Sequence, residues 1–87
     1  MKSILVIGSS NTDMVIRVPA LPAAGETVLG SDFKIFGGGK GANQAIAARR
    51  AGGEIRFLAA LGDDDFGGSA IETFRREGIQ IVCLCFI

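Results

Sequence analysis

The chain has 87 residues, 48% of them apolar, and its nine basic and nine acidic side chains balance to a formal net charge of zero. A chain of this length forms at most one small domain with a thin core. The balanced charge and the apolar content exclude a charge-driven nucleic-acid surface and a long disordered tail. The four consecutive apolar residues before Gly8 are too few for a signal peptide core or a membrane span. We therefore expect a cytoplasmic protein with no membrane and no nucleic-acid partner.

The first predicted element is a strand at Ile4–Ile7, where a continuous apolar run predicts burial on both faces, as in a parallel sheet. Asn11 and Asp13 follow its carboxyl end. Ligands of open α/β sheets gather at such strand ends, so these two side chains are candidate binding residues. The alternative explanation is that these two residues only stabilise a turn, since Asn and Asp are common where a chain bends.

A smaller sheet is predicted next. Met14–Val18 alternates between apolar and other residues, which is typical of a strand with one exposed face, and Pro19 and Pro22 close it. Short antiparallel strands are then predicted at Thr27–Leu29 and at 33–36. Such a sheet would cover the carboxyl edge of the main sheet or serve as an association surface.

The glycine-rich stretch FGGGKGANQA at Phe36–Ala45 is the most informative motif in the chain. Its three consecutive glycines predict a sharp loop with exposed N–H groups, and the alanine-rich sequence after Lys40 predicts a helix over 41–51. The free N–H groups and the positive dipole end of a helix favour oxygen-rich or anionic ligands. Lys40 and Asn43 would add side-chain donors on the same turn.

Three interpretations of this loop compete. A Walker A loop is excluded, because Lys34 stands where that motif needs its first glycine and Gly41 stands where it needs Ser or Thr. The dinucleotide fingerprint G-x-G-x-x-A matches three small residues, Gly37, Gly39 and Ala42. In that interpretation Asp63, after the next strand, would bind a ribose hydroxyl. The third interpretation is a glycine-rich connection with a solvated lysine.

The end of this helix and the following strand have clear local signals. Arg49 and Arg50 carry positive charge at the negative end of the helix dipole, and no further role is predicted for them. Gly52 and Gly53 are predicted to form the C-cap of this helix. A second buried strand is predicted at Ile55–Leu61.

Three aspartates follow this strand, at 63–65. A metal site is one interpretation, but their position between a strand and a helix favours N-capping and complementarity to the helix dipole. That helix is predicted over Phe66–Glu77 and stops at Gly78. Its predicted buried residues recur at helical spacing and are Phe66, Ala70, Ile71 and Phe74.

The last predicted element is an apolar strand at Ile79–Ile87, with Cys83 and Cys85 on one face. Two cysteines in this arrangement do not suit a disulfide with each other, and the chain has no histidine and no further cysteine. We therefore expect two buried thiols rather than metal ligands. The strand carries no charge, so its free edge would pair with another chain.

Together these elements predict an α/β fold. It consists of a β-α-β-α-β parallel sheet with its helices and a small antiparallel lid sheet inserted after the first strand.

Four motifs occur in the order and at the spacing of one known family. They are GSSNTD at Gly8–Asp13, AGETV at Ala24–Val28, GGKGANQA at Gly38–Ala45 and Gly-Asp-Asp-x-x-Gly at Gly62–Gly67. To about Gly78 the chain resembles the ribokinase-like (PfkB) carbohydrate kinases, most of all the ribokinases. The resemblance implies that 1–87 is the N-terminal portion of a ribokinase-like layered fold. Its lid would be formed by segments at about 14–18 and 27–36.

The resemblance also implies a sugar site. By position, Asn11 and Asp13 resemble residues that hydrogen-bond sugar hydroxyls. The other side of the same pocket would be formed by Gly39, Lys40 and Asn43. Carboxylate, amide, ammonium and backbone N–H groups supply the acceptors and donors that neighbouring sugar hydroxyls need.

The family's second signature, an Asp-Thr-x-Gly-Ala-Gly-Asp segment with the catalytic base, does not occur in this sequence. For the full-length family the resemblance implies ATP with Mg²⁺ and a possible monovalent cation. It implies no catalytic, cofactor-binding or metal-binding residue within 1–87, and we expect none of these ligands to bind this chain well.

The sequence therefore predicts the sugar-binding part of an ATP-dependent carbohydrate kinase that acts on a primary hydroxyl of ribose or a similar sugar, inactive as these 87 residues alone. One alternative is a non-catalytic sugar-binding or assembly module that self-associates through the lid sheet or the exposed edge strand. The other is a dinucleotide-binding fragment.

Overall fold

The computed structural model describes residues 2–86, with side chains as far as Val82. In chain order the elements are β1 (Ser3–Ile7), β2 (Asn11–Arg17), β3 (Ser31–Gly38), α1 (Lys40–Arg50), β4 (Glu54–Leu61), α2 (Asp65–Arg76) and β5 (Gln80–Phe86). The strands β1, β4 and β5 form a parallel sheet in the order β1-β4-β5. The strands β2 and β3 form a separate antiparallel pair, called the lid sheet below. The predicted α/β fold with an inserted antiparallel sheet is confirmed.

The lid sheet differs from its prediction in its bounds and in its number of strands. Its first strand begins at Asn11 rather than Met14, and β3 spans Ser31–Gly38 rather than 33–36. Residues 27–29 are not a strand. Within the described residues the lid sheet consists of β2 and β3 alone, paired from Asn11 opposite Gly38 to Arg17 opposite Ser31.

The core is centred on β4, whose residues alternate between buried and open positions. The buried side chains of this strand are Ile55, Phe57, Ala59 and Leu61. Phe57 is fully buried and meets Phe74 of α2 edge-on, with 5.2 Å between the ring centroids. From the helical side, Ala42 and Ala45 of α1 join this cluster. Their small side chains let the helix lie close to the sheet, as dense core packing requires.

The parallel sheet is covered on one face only. Leu5, Ile7 and Val82 lie on the opposite face and are 56%, 67% and 44% exposed. The prediction that β1 is buried on both faces is therefore wrong, as is full burial of β4, whose Arg56 is exposed. The cause is that α1 and α2 both pack on the face that carries Phe57, while β1 is an edge strand.

Both helices end just before the glycines from which their ends were predicted. Gly52 and Gly78 follow the two C-caps with φ angles of 101° and 81°, a left-handed conformation that glycine adopts without strain. After α2 the N–H of Gly78 donates to the carbonyl of Arg75, and the N–H of Ile79 donates to the carbonyl of Phe74. This is a Schellman motif, which satisfies the last carbonyl groups of the helix.

The lid sheet extends away from the parallel sheet. The principal extents are 54 × 29 × 19 Å, and the radius of gyration is 16.1 Å. A compact chain of this length would have a radius of about 12 Å. Every residue of β2 is exposed, which shows how little of the lid sheet is covered.

The backbone of β5 lies at the other edge of the parallel sheet, opposite β1. The predicted buried thiols of Cys83 and Cys85 lie outside the described side chains. Neither helix of the described chain has the length and apolar character that crossing a membrane would require.

Candidate functional site

Pairing within the lid sheet brings the two predicted binding segments together. Asn11 is the first residue of β2 and lies opposite Gly38 at the end of β3, while Asp13 lies opposite Phe36. The carboxylate of Asp13 rests against Gly38, which is buried: a Cβ on that glycine would lie 2.6 Å from Asp13 Oδ2. A glycine is therefore needed for this carboxylate to keep its position.

The glycine loop leads directly into α1. The helix begins at Lys40, one residue before the predicted start, and its N-cap is Gly39 with a φ of 98°. The structure describes every residue of α1, and no side chain caps this helix. Backbone hydrogen bonds hold its first turn. The N–H of Ala42 donates to the carbonyl of Ser9 at 3.0 Å, and the N–H of Asn43 donates to that of Gly39 at 3.0 Å. The side chain of Lys40 is exposed.

A cavity of about 590 Å³ lies between the lid sheet and the two helices. This volume is within the range of small-molecule sites, about 300 to 1,000 Å³. Asn11, Gly38 and Asn43 line it, so strand, loop and helix all contribute. Asp13 lies next to Gly38 but does not line this cavity, and neither do two other predicted site residues, Gly39 and Lys40.

The third wall of the cavity comes from α2 and was not predicted. It includes Ser69, Thr73 and Glu77, which recur at intervals of four residues and therefore share one helix face. This four-residue spacing of polar side chains is visible in the sequence and could have predicted a polar face on α2. Thr73 Oγ1 donates to the carbonyl of Ser69 at 3.0 Å, so its hydroxyl is held in place.

Phe66 also lines the cavity, and its predicted burial in the core is wrong. It is 41% exposed, because it lies in the first turn of α2, beyond the carboxyl end of β4 rather than over the sheet. Phe74, two turns further along, is the aromatic residue of this helix that reaches the core.

The aspartates at 63–65 act as a helix start. Asp64 is the N-cap of α2, and its Oδ1 accepts a hydrogen bond from the N–H of Gly67 at 2.8 Å. Asp65 lies in the first turn, where a negative charge complements the helix dipole. The favoured N-capping interpretation is confirmed. Among the side chains described, from Lys2 to Val82, no three acidic residues come together as metal ligands.

Arg50 and Glu77 line the cavity where the two helices end. Arg50 Nε donates to Glu77 Oε2 at 3.2 Å, and a second guanidinium nitrogen bonds to Oε1. Arg49 Nε donates to the carbonyl of Glu77 at 3.1 Å. The prediction that both arginines serve only the dipole of α1 is wrong, because both also hold the end of α2. The hydrogen bond from Arg50 lowers the pKa of Glu77, and the same contact raises the pKa of Arg50.

The dinucleotide interpretation needs its glycines to follow a strand of the parallel sheet. Here Gly37 and Gly38 belong to β3 of the lid sheet, and only Gly39 lies in the connection to α1. This arrangement differs from the one in which a pyrophosphate meets the first β-α turn.

Comparison with known proteins identifies the family. Residues 1–84 match the profile of the pfkB family carbohydrate kinases. The chain is 42% identical over 80 residues to the ribokinase of Bacillus subtilis and 41% identical over 77 residues to the deoxyribokinase of Salmonella typhi. These alignments cover 92% and 88% of this chain. The chain therefore belongs to the pfkB family of carbohydrate kinases.

Solved structures agree with this assignment. The ribokinase of Giardia lamblia superposes with a TM-score of 0.86 at 37% identity, over 95% of this chain and 27% of that one. The ribokinase of Thermotoga maritima gives 0.84 at 36% identity, over 94% and 28%. The chain spans about a quarter of the length of its relatives, 27% for the Bacillus protein and 25% for the Salmonella protein.

Proposed function

We propose that this chain is the sugar-binding part of an ATP-dependent kinase that phosphorylates ribose or a similar sugar. The observation that carries the proposal is the cavity shared by Asn11, Gly38 and Asn43, which lie on three consecutive elements of a carbohydrate kinase fold. The names of the relatives, ribokinase and deoxyribokinase, support a pentose as the ligand.

The chemistry of the proposed site suits a polyhydroxylated ligand. The amides of Asn11 and Asn43 each offer a donor and an acceptor, and both line the cavity. Asp13, held beside Gly38, would accept hydrogen bonds from sugar hydroxyls, and Lys40 would donate one from the start of α1. Gly39 would present backbone rather than a side chain. The aromatic ring of Phe66 adds an apolar surface for the carbon face of a sugar ring.

We propose further that these 87 residues bind sugar without transferring phosphate. Phosphoryl transfer depends on a base or an orienting group and on stabilisation of the transferred oxygens. In the family resemblance the base belongs to a segment that this sequence does not contain. The residues of this chain would therefore contribute recognition and orientation of the sugar, while the nucleotide chemistry would belong to the rest of a kinase.

Calorimetric titration of the chain with D-ribose, beside an ATP-dependent phosphorylation assay, tests the proposal. The variant is Asn43→Ala and its matched control is Gln44→Ala, because Gln44 is the next residue of the same helix, is exposed and does not line the cavity. We expect ribose to bind, the Kd to rise about 5- to 30-fold for Asn43→Ala, as loss of one or two polar contacts implies, and the control to match the wild type.

Three results would contradict parts of this proposal. Absence of ribose binding would favour the non-catalytic assembly module. Binding of NAD in place of ribose would favour the dinucleotide interpretation. Phosphorylation of ribose by the 87-residue chain would show that it carries its own catalytic group.

A further inference from the structure

Two stretches of backbone come unusually close beneath the proposed site. Gly8 lies in the connection between β1 and β2, and Gly41 lies in the first turn of α1. A Cβ built on Gly8 would lie 2.8 Å from Gly41 Cα, and one on Gly41 would lie 2.7 Å from Gly8 Cα. Each glycine therefore leaves the space that the other backbone occupies.

The same connection makes two further contacts with the glycine loop. The carbonyl of Ser9 accepts the N–H of Ala42 at 3.0 Å. A Cβ on Gly39 would lie 2.6 Å from that carbonyl oxygen. Gly39 has a φ of 98°, so both its conformation and its surroundings require glycine. The contact between connection and loop is thus made of backbone atoms on both sides.

This contact joins the two halves of the proposed site. The connection runs directly into Asn11 at the start of β2, whereas Gly41 stands between Lys40 and Asn43 on α1. A side chain at Gly8 would press on backbone atoms, which cannot rotate away as the end of a flexible side chain can. Either the strand end or the helix start would have to move.

We infer that Gly8 is a positioning residue: its missing side chain sets the separation between the strand end with Asn11 and the helix turn with Asn43. The inference rests on the proposed sugar-binding function and assigns a specific role to a residue that does not line the cavity. Gly8 acts through the position of α1 and not by touching the sugar.

The test compares Gly8→Ala with Gly68→Ala. Gly68 is the matched control, because a Cβ there would meet nothing within 4 Å and the residue does not line the cavity. We expect the Kd for D-ribose to rise about tenfold to a hundredfold in Gly8→Ala, the size expected when one or two hydrogen bonds to the ligand are lost. The control is expected to keep the wild-type Kd. A folded Gly8→Ala chain with the wild-type Kd would overturn the inference.

Amide NMR separates positioning from a general loss of stability. In Gly8→Ala the N–H resonances of Ala42 and Asn43 are expected to shift, because the helix start is displaced relative to the Ser9 carbonyl. In Gly68→Ala both resonances are expected to stay in place. Unchanged resonances of Ala42 and Asn43 in a folded Gly8→Ala chain would show that the two segments are not coupled at this contact.

A measurement on the wild type keeps the inference testable if Gly8→Ala does not fold. Saturation with D-ribose is expected to shift the amide resonances of Gly8 and Ser9 but not that of Gly68. Ribose binding without a response at Gly8 and Ser9 would overturn the positioning role alone. A wild-type chain that does not bind ribose would overturn the proposed function and, with it, the role of Gly8 in sugar binding.

Discussion

Arg50 at the end of α1 donates two hydrogen bonds to the carboxylate of Glu77, which caps α2 27 positions further along the chain. Arg49 adds a bond to the backbone carbonyl of the same residue. Two cationic side chains at one helix end thus hold the C-terminus of the neighbouring helix. Both Arg50 and Glu77 line the cavity, so the ion pair forms part of its wall.

The first prediction concerns the pH dependence of this ion pair. The bond from Arg50 lowers the pKa of Glu77 below its ordinary value of 4.5. A carboxylate with a lowered folded-state pKa stabilises the fold above its ordinary pKa, and this contribution disappears as the pH falls through the lowered value. Glu77→Gln is therefore expected to reduce Tm slightly at neutral pH, and the difference from the wild type is expected to vanish in acid. Circular dichroism melts across this range measure it.

The matched control for that prediction is Glu72→Gln, at an exposed position of the same helix. Its Tm should follow the wild type at every pH. Added salt should also reduce the effect of Glu77→Gln, because the guanidinium of Arg50 is largely exposed and salt screens such pairs. An equal loss of Tm for both variants would argue against a specific role of the pair.

The second prediction concerns the centre of the core. Phe57→Ala is expected to destabilise the fold by about 3–5 kcal/mol, since it removes a fully buried ring and its edge-on contact with Phe74. This loss is comparable with the whole stability of a small domain, about 5 kcal/mol. Phe57→Leu should cost about 1–3 kcal/mol and remain measurable by urea denaturation. Phe33→Leu, at a position 57% exposed, should change stability by less than about 0.5 kcal/mol.

The third prediction concerns the aspartate triplet. Asp64→Ala removes the acceptor for the N–H of Gly67 and is expected to cost about 1 kcal/mol. Asp63→Ala is the control, because Asp63 is an exposed neighbour that precedes the N-cap. Chemical denaturation of the two variants measures the difference. Equal stability of the two would show that the side chain of Asp64 does not hold the start of α2.

The fourth prediction concerns the position of the Asp13 carboxylate. A methyl group at Gly38 would lie 2.6 Å from Asp13 Oδ2, whereas one at Gly37 would meet nothing within 4 Å. Gly38→Ala is therefore expected to displace the carboxylate and to weaken ribose binding about tenfold, as loss of one charged hydrogen bond implies. Gly37→Ala should have a smaller effect. Calorimetric titration of both variants with D-ribose compares them, and equal affinities would remove Asp13 from the proposed site.

The fifth prediction concerns self-association. Met14 and Ile35 lie opposite each other in the lid sheet and are 56% and 52% exposed. Exposed apolar clusters of this kind mark association surfaces, so we expect oligomers in sedimentation experiments. Ile35→Glu should shift the chain towards monomer, and Leu21→Glu, in the loop outside the lid sheet, should not. Oligomers unaffected by Ile35→Glu would favour pairing through an edge of the parallel sheet, and a monomeric wild type would contradict both routes.

Much of the fold could be predicted because its signals are local. The glycines at 52 and 78 end their helices through their own backbone conformation, and Asp64 caps α2 through a contact three residues away. The apolar run at Ile55–Leu61 likewise predicted a strand there, although not the alternating burial that β4 shows. For the candidate site, the sequence indicated Asn11 and Asn43, and the structure places both at one cavity. The binding roles of all five residues, Asn11, Asp13, Gly39, Lys40 and Asn43, stay predictions.

The errors all concern contacts between distant segments. Burial of β1 on both faces was predicted from its composition, but burial depends on which faces the helices cover. Phe66 has the spacing of a core residue, yet its place in the first turn of α2 directs it to the cavity. The bonds from Arg49 and Arg50 to Glu77 depend on how two helix ends meet.

By itself, the sequence determined the kinds of elements, most of their ends and the family motifs, because backbone conformation and periodicity depend on near neighbours. The tertiary structure alone decided which face of the sheet is covered, which residues share the cavity and how closely Gly8 approaches Gly41. These features depend on distances between atoms that are far apart in the chain, and only the packing of strands and helices sets those distances.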